Sequence, residues 1–294
     1  MKILSGFYDL HCHSAPAPFE RIADSGDIAE WCAEAGMAGI VFKSHFESTV
    51  SKVYHARKQV LPKYPNFEIY AGIALNRGVG GLNPGAVEIA LQQGAKVVWM
   101  PTIDASNHIA VFGGAGTYGF HAMTLNTTSR DRDFSYSLID DSGRLLPAVK
   151  DIVRMTIDYN AVLATGHISA KEIRSLVDFA ASLGHKKVVI THPEMQTPGL
   201  SFEEMVDYTR AHITLEFCAV YLTPVFKCIE LNELVKYMSE LDKNYIIISS
   251  DGGQAFNPKP HQMIEMAVKA LMVKGVPTDI IRAACIDNPK RLLI

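Results

Sequence analysis

Long runs of one residue character are rare in this sequence, and their absence excludes several classes of function. No basic stretch exceeds Lys186-Lys187, and 28 lysines and arginines against 31 aspartates and glutamates give a net charge of −3. This balance gives no electrostatic reason to expect nucleic acid or an anionic membrane as a partner. No stretch approaches the ~20 apolar residues of a membrane helix, and the apolar part of residues 1–6 is too short for a secretory signal. We therefore expect a cytoplasmic protein without membrane contact.

Cysteine pairs and nucleotide-binding glycine motifs are also missing. The five cysteines include no CxxC pair, which in a chain of 294 residues favours reduced, mostly buried thiols over a disulfide framework. The pattern GxxxxGK[ST] does not occur, which argues against a P-loop nucleotide enzyme.

The sequence does contain a regular alternation of short apolar runs with helical patterns. Eight runs predict strands, at residues 7–10, 39–42, 68–74, 96–100, 161–164, 187–190, 214–217 and 245–248. Helical patterns between them include residues 27–35, 83–93, 170–183 and 202–211. Eight such units in a chain of this length predict one (β/α)8 TIM barrel domain over residues 1–294. An open doubly wound sheet is the alternative, but it would collect its ligands at one switch point.

The segment after the fourth predicted strand interrupts this alternation of strands and helices. Residues 104–146 are too long for a simple βα loop, and residues 134–146 contain a Gly turn that is typical of a hairpin. Long insertions at the catalytic end of a barrel usually form lids or substrate-binding loops. We expect such a role here, with His121 and Arg130 near the substrate only if the insertion folds over the barrel mouth.

Five potential metal ligands stand at the ends of four predicted strands. They are His11, His13, His167, His192 and Asp251. The strand ends of a parallel barrel converge on one mouth, so residues far apart in sequence become neighbours. His11 and His13 flank Cys12 on a strand, so both imidazoles point to one side and can bind one ion. Nitrogen ligands with a hard oxygen suit a divalent transition metal that keeps a position open for water.

The chemistry predicted by this set is the activation of water. A bound metal lowers the pKa of water from about 15.7 towards about 7. Asp251 would take the proton from that water and pass it to the leaving group. His192 would either bind a second ion or act as an electrophile beside the oxyanion.

Three further residues are candidates for substrate binding. Lys43 and His45 share one face at the end of the second predicted strand, and Arg77 follows the third. The cationic side chains of Lys43 and Arg77 would suit a carboxylate or phosphate group of a small-molecule substrate. His45 is an alternative metal ligand.

The motifs resemble the amidohydrolase superfamily of metal-dependent (β/α)8 hydrolases. The resemblance rests on His11-Cys12-His13, Gly166-His167, Thr191-His192 and Ser250-Asp251, and in motif order it covers essentially the whole chain. It implies a divalent metal, usually zinc, and hydrolysis of an amide, ester or related bond. It also implies that the four histidines of these motifs are ligands and that Asp251 is both ligand and general base. The ligand types alone would accept manganese, iron or nickel as well.

The sequence departs from the binuclear members of that superfamily at the fourth strand. Those members carry a bridging carboxylated lysine, or a glutamate, at this strand end. Here the strand ends in Trp99-Met100-Pro101-Thr102, and Asp104 is the nearest carboxylate. One ion is therefore expected rather than two, although Lys43, His45 and Glu216 also fall at strand ends and could complete an unusual second site.

Three other functions stay open at this point. The first is a metal-dependent decarboxylase or other lyase of the same superfamily. The second is a phosphoesterase resembling the PHP family, against which eight strands and Gly166-His167 argue. The third is a non-catalytic barrel with a structural metal only, which would tolerate the loss of Asp251. A homo-oligomer is possible, because barrels of this kind often dimerise, and the substrate itself is not encoded in any motif.

Overall fold

The computed structural model describes residues 2–119, 123–125 and 134–294. Its sheet has eight parallel strands that pair in chain order. They are β1 (Tyr8–Cys12), β2 (Gly39–Phe42), β3 (Glu68–Ala74), β4 (Ala95–Trp99), β5 (Val162–Ala164), β6 (Val188–Thr191), β7 (Thr214–Cys218) and β8 (Ile246–Ser249). The predicted TIM barrel is confirmed, and each predicted strand lies within two residues of its observed bounds.

Helices follow the strands and cover the outside of the barrel. The described helices are α1 (Ser25–Glu34), α2 (Val50–Val60), α3 (Pro84–Gln92), α4 (Ser106–Phe112), α5 (Pro147–Asp158), α6 (Ala170–Ser182), α7 (Phe202–Arg210), α8 (Leu231–Glu240), α9 (Pro260–Val273), α10 (Thr278–Arg282) and α11 (Asn288–Leu293). The four predicted helical patterns correspond to α1, α3, α6 and α7. Their starts are capped by side chains, as in α7, where Ser201 and Glu204 form a reciprocal capping box.

Alternation along the strands divides the core into two layers. Leu10, Val97 and Val189 fill the interior of the barrel, whereas Val98 and Ile190 pack in the layer between the sheet and the helices. Because both faces are covered, the strands are almost continuously apolar. The filled interior forms a floor, so polar side chains at the strand ends gather above it at the mouth.

The join between β1 and β8 closes the barrel and aligns two predicted ligand segments. The amide of Asp251 donates to the carbonyl of His11 (2.8 Å), and the amide of His13 donates to the carbonyl of Gly252 (2.9 Å). Gly253 has φ +115°, and a Cβ at this position would lie 2.0 Å from the carbonyl oxygen of His13, so only glycine fits. This seam holds His11, His13 and Asp251 side by side.

Asp9 reinforces the seam from below. Its carboxylate accepts hydrogen bonds from the amides of Ser250 (2.9 Å) and His11 (3.1 Å). Burial raises the pKa of Asp9 to about 7, and these hydrogen bonds oppose that rise. Asp9 is therefore a crosslink between the first strand and the segment that follows the last strand.

The insertion after β4 reaches back to the barrel mouth. Its last part forms the predicted hairpin as a single antiparallel bridge between Ile139 and Leu145, and Glu172 of α6 accepts the amide of Leu138 at 2.8 Å. Tyr118 lies with its hydroxyl 3.4 Å from Nε2 of His45. The insertion therefore contributes a wall of the mouth, while its action as a lid stays a prediction. His121 and Arg130 lie outside the described residues.

All five cysteines are free thiols, and only Cys228 is exposed, which confirms the prediction made from their spacing. None of the helices in the described part of the chain combines the length and the apolar character that crossing a bilayer requires.

Candidate active site

The ends of β1 and β8 bring three potential ligand atoms together. Nε2 of His13 lies 3.0 Å from Oδ1 of Asp251, and Nε2 of His11 lies 3.2 Å from the same oxygen. In a tetrahedral site with metal bonds of about 2.0–2.1 Å, neighbouring ligand atoms are about 3.3 Å apart. The spacing and the donor types of these three residues therefore fit one divalent transition metal ion with coordination positions to spare.

Glu216 in β7 determines which nitrogen of His11 faces this point. Oε2 of Glu216 lies 3.2 Å from Nδ1 of His11, and Oε1 accepts a 2.7 Å hydrogen bond from Oγ of Ser249. A carboxylate can only accept, so Nδ1 of His11 carries the hydrogen and Nε2 keeps its lone pair. Cys218 approaches the same Nδ1 at 3.9 Å. A metal group of His11, His192 and Cys218 would therefore compete with Glu216 and is the weaker candidate.

Lys43 at the end of β2 is buried inside the cluster. Its Nζ lies 2.9 Å from Nε2 of His11 and 5.4 Å from the centre of a Trp99 ring. Burial lowers the pKa of Lys43, whereas Asp251 and Glu216 oppose that shift. The lone pair on Nε2 of His11 can accept a hydrogen bond from this amine or bind a metal ion, but not both. The side chain of Lys43 must therefore move away when an ion binds there.

His192 and Asp251 occupy unusual backbone conformations at their strand ends. Their φ angles are +55° and +46°, in the left-handed region that non-glycine residues rarely adopt. Nε2 of His192 lies 3.7 Å from Oδ2 of Asp251, while its Nδ1 is buried and lacks a hydrogen-bond partner within the described residues. Such strain persists where the surroundings impose it, and it is common at functional sites.

His167 and His45 form a second row beside this cluster. The ring of His167 lies 5.5 Å from that of His192 and 6.3 Å from that of His45, and His45 lies 4.7 Å from His13. The structure thus brings all four predicted histidine ligands into one mouth, with His167 and His192 outside the group formed by His11, His13 and Asp251. Nδ1 of His45 bonds to Oγ1 of Thr102 at 2.9 Å.

Arg77 is the predicted site residue that does not join the cluster. Its guanidinium makes hydrogen bonds of 2.7 and 3.1 Å to the buried carboxylate of Asp104, and Phe134 stacks on it at 4.9 Å. A bidentate pair of this kind satisfies both partners. Arg77 therefore positions the insertion, and Asp104 is not available as a bridging ligand at the end of β4.

Burial sets the ionisation of the site. It lowers the pKa of each site histidine well below the usual range, so the imidazoles are neutral, as metal ligands must be. These histidines are His11, His13, His45, His167 and His192. Burial also raises the pKa of Asp251 to about 7, an effect that Lys43 opposes and Glu216 strengthens. The carboxylate therefore titrates close to neutral pH unless a cation stabilises its charged form.

Three residues of the site had no signal in the sequence. Arg21, in the loop after β1, and Tyr118 line a small pocket with His13, His45 and Asp251, with a cavity volume of about 10 Å³. His108 in α4 supports His167 with an Nδ1–Nδ1 distance of 2.9 Å. All three lie in loops or in the insertion, where hydropathy patterns do not determine the direction of a side chain.

Comparisons with known proteins agree with this architecture. Among solved structures, an amidohydrolase from Pseudomonas aeruginosa is 14% identical, with a TM-score of 0.62 over 98% of this chain and 95% of its own. A lactonase from Listeria monocytogenes is 12% identical, with a TM-score of 0.58 over 99% and 95%. The phosphotriesterase homology protein from Escherichia coli is 7% identical, with a TM-score of 0.59 over 99% of both chains. At these identities the likeness confirms the (β/α)8 TIM barrel as the fold.

Sequence comparison gives a narrower assignment. No curated protein matches the chain. Residues 6–216 match the model of a family of unknown function, DUF6282. That match covers β1 to β6 and the start of β7, including every predicted ligand except Asp251, and more than half of the chain. The protein therefore belongs to the DUF6282 family, whose fold in this member is a (β/α)8 TIM barrel.

Proposed function

We propose that this protein is a metal-dependent hydrolase of a small molecule. The observation that carries the proposal is the convergence of Nε2 of His11 and Nε2 of His13 on one carboxylate oxygen of Asp251, at 3.2 and 3.0 Å. Two neutral imidazoles and a carboxylate at this spacing are the donor set of a hydrolytic divalent metal, most commonly zinc. The names of the structural neighbours, which include an amidohydrolase and a lactonase, support the same class.

The residues around that point suit a hydrolytic reaction. A bound divalent ion would lower the pKa of water and polarise a substrate carbonyl. Asp251 accepts the proton of the attacking water and returns it to the leaving group, as a general base whose carboxylate lies where the imidazoles of His11 and His13 converge. Neutral His192, 3.7 Å from Oδ2 of Asp251, can stabilise the charge that develops on the substrate oxygen.

The shape of the mouth supports a small substrate with an apolar part. The pocket at Arg21 and Asp251 shares Tyr118, Tyr221 and Phe226 with a second, outer pocket. The outer pocket is lined mainly by aromatic and apolar side chains, including Phe112 and Met195. A ligand that spans both pockets would place its apolar part outside and its reacting bond beside Asp251.

Metal content and a substrate screen test this proposal together. Protein purified without added metal is analysed by elemental mass spectrometry, then reconstituted and assayed against panels of lactones, esters and amides. We expect about one zinc or manganese per chain, because Asp104 is paired with Arg77 and supplies no bridge. Two ions per chain would contradict the single-ion site, and no binding even after reconstitution would refute the hydrolase.

A decarboxylase is the second candidate, since buried cations beside the site suit a carboxylate substrate. Lys43 in the cluster and Arg21 in the pocket are the observations that favour it. Product analysis separates the two reactions, because hydrolysis consumes water and yields a new acid, whereas decarboxylation releases carbon dioxide.

A further inference from the structure

Arg21 makes no ion pair with any described residue, although it lines a pocket built around metal-ligand residues. Its Nε and Nη1 atoms are buried, and neither has a hydrogen-bond partner in the part of the chain that the structure describes. The nearest aromatic contact is the ring of Phe19, 5.9 Å from the guanidinium carbon. Buried guanidinium groups are normally paired, because an unsatisfied charged donor costs considerable free energy. An arginine left in this state indicates a missing anion.

The backbone holds Arg21 beside Asp251. Arg21 forms a bridge with Gln254 in the loop after β8, and the next amide, that of Ile22, donates to the carbonyl of Gly253 at 2.9 Å. Ala15 and Ala23 close the base of the loop through a 2.8 Å hydrogen bond. The backbone of Arg21 therefore belongs to the wall of the pocket that also carries Asp251.

Two other cations near the mouth, Lys43 and Arg77, are already engaged with described residues. Lys43 contacts His11, and Arg77 is paired with Asp104. The donor groups of both residues are therefore occupied, unlike Nε and Nη1 of Arg21. Burial lowers the pKa of Arg21 to about 10, which leaves the group charged at neutral pH. Asp251 opposes that shift through its charge, but it makes no hydrogen bond to Arg21.

We propose that Arg21 is the subsite for an oxyanion group of the substrate, a carboxylate or a phosphate, held next to the bond that reacts at Asp251. The planar fork of a guanidinium matches two oxygens of either group. Identification of the bound molecule as substrate rests on the proposed hydrolase; the subsite itself rests on the unpaired guanidinium. The proposal transfers the anion-binding role predicted for Lys43 and Arg77 to a residue that faces the pocket.

Calorimetric titration of the purified protein with inorganic phosphate and with malonate tests this subsite without any assay of turnover. We expect both probes to bind, with the tighter one identifying the phosphoryl or the carboxyl group as the natural anion. Arg21→Gln should weaken binding about 30-fold or more, since it leaves a buried anion unpaired. Arg21→Lys should recover only part of the affinity, because it keeps the charge and loses the fork.

Arg144→Gln is the matched control, because Arg144 is exposed on the hairpin and its loss changes the net charge equally. Its affinities should equal those of the wild type. Equal affinity in Arg21→Gln, or no binding of either probe to the wild type, would overturn the proposal. Arg21-dependent binding without any hydrolysis in the substrate screen would leave the subsite standing and reject the hydrolase.

The thermal stability of the anion-free variant separates this role from a structural one. Arg21→Gln removes a buried, unpaired cation and should melt at the same temperature as the wild type or higher. A decrease of several degrees would show that Arg21 stabilises the fold, and would overturn its assignment to a ligand.

Discussion

His108 and His167 face one another through their Nδ1 atoms, 2.9 Å apart, with their rings inclined by 25°. Nε2 of His108 lies 2.8 Å from the carbonyl oxygen of Thr117, which can only accept, so this nitrogen carries the hydrogen. Burial lowers the pKa of His108 to about 4, and the ring is neutral. Its Nδ1 is therefore an acceptor, Nδ1 of His167 is a donor, and Nε2 of His167 keeps the lone pair that a metal ligand needs.

This relationship predicts that the insertion controls a ligand of the barrel. Replacing His108 with Leu removes the acceptor and should release the tautomer of His167, with a loss of about 10- to 100-fold in metal affinity or activity. Long-range proton–nitrogen correlation spectra should show Nδ1 of His167 protonated in the wild type and a mixed state in the variant. His55→Ala, on the exposed face of α2, is the control; an unchanged His167 signal in His108→Leu would contradict the prediction.

Replacing Glu216 with Gln should weaken metal binding without disturbing the barrel. The amide keeps the size of the side chain but is a poorer acceptor for Nδ1 of His11, so the imidazole loses orientation and basicity. We expect an affinity about 10- to 100-fold lower in competition with a chelator. Ser249→Ala, which removes only the donor to Oε1 of Glu216, should have a smaller effect. Equal losses in the two variants would argue against the proposed role.

Lys43 and a metal ion compete for Nε2 of His11. Lys43→Met removes a positive charge 2.9 Å from that nitrogen while retaining an apolar stem over Trp99. Loss of one charged hydrogen bond and of the repulsion should increase metal affinity by about 10-fold. Titration with a metal indicator measures this directly. A lower affinity would show instead that Lys43 helps to hold the ion, as carboxylated lysines do in binuclear members of the amidohydrolase superfamily.

Asp251→Asn should abolish most of the catalysis in protein that is fully loaded with metal. The amide cannot accept the proton of the attacking water, and loss of a general base typically costs about 10²- to 10⁴-fold in kcat. Asp279→Asn, at an exposed ion pair with Lys243, is the surface control and should keep full activity. A nearly unimpaired Asp251→Asn enzyme with normal metal content would reject the assigned role.

Acid should destabilise the protein through histidines that are buried in their neutral form, and His185 tests this outside the site. Its Nε2 lies 3.0 Å from Oγ1 of Thr156, and its Nδ1 accepts the amide of Lys187 at 3.3 Å. Burial lowers the pKa of His185 to about 4, whereas the unfolded chain takes up the proton near pH 6.5. The unfolded state therefore binds more protons between pH 6.5 and pH 4, and stability falls as pH falls through that range.

Urea unfolding at pH 7 and pH 5 measures this loss. Protonation of His185 accounts for at most about 2 kcal/mol of the decrease in unfolding free energy between those two pH values. His185→Asn keeps an acceptor for the amide of Lys187, so its unfolding free energy should decrease by that much less than that of the wild type. An identical pH dependence in the two proteins would show that His185 does not contribute.

Residues attached to strands were predictable from the sequence, because a strand dictates both their spacing and their direction. His11 and His13 lie on one side of β1, and Asp251 follows β8, so barrel closure brings them together once the eight strands are recognised. Arg21, His108 and the pairing of Arg77 with Asp104 depend on the paths of loops. Those paths are determined by bridges between segments far apart in the chain, such as Arg21 with Gln254, which no local pattern specifies.

The seam between β1 and β8 has a consequence for the chain as a whole. Two of the three ligand atoms come from the first strand and the third from the end of the last, so an ion held between them would tie residue 11 to residue 251. This non-covalent link closes a loop that contains most of the sequence, and the stabilisation expected from closing a loop increases with its length. The ion would therefore do more than chemistry: its departure would leave the join between the first and last strands to the backbone hydrogen bonds of the seam and to Asp9.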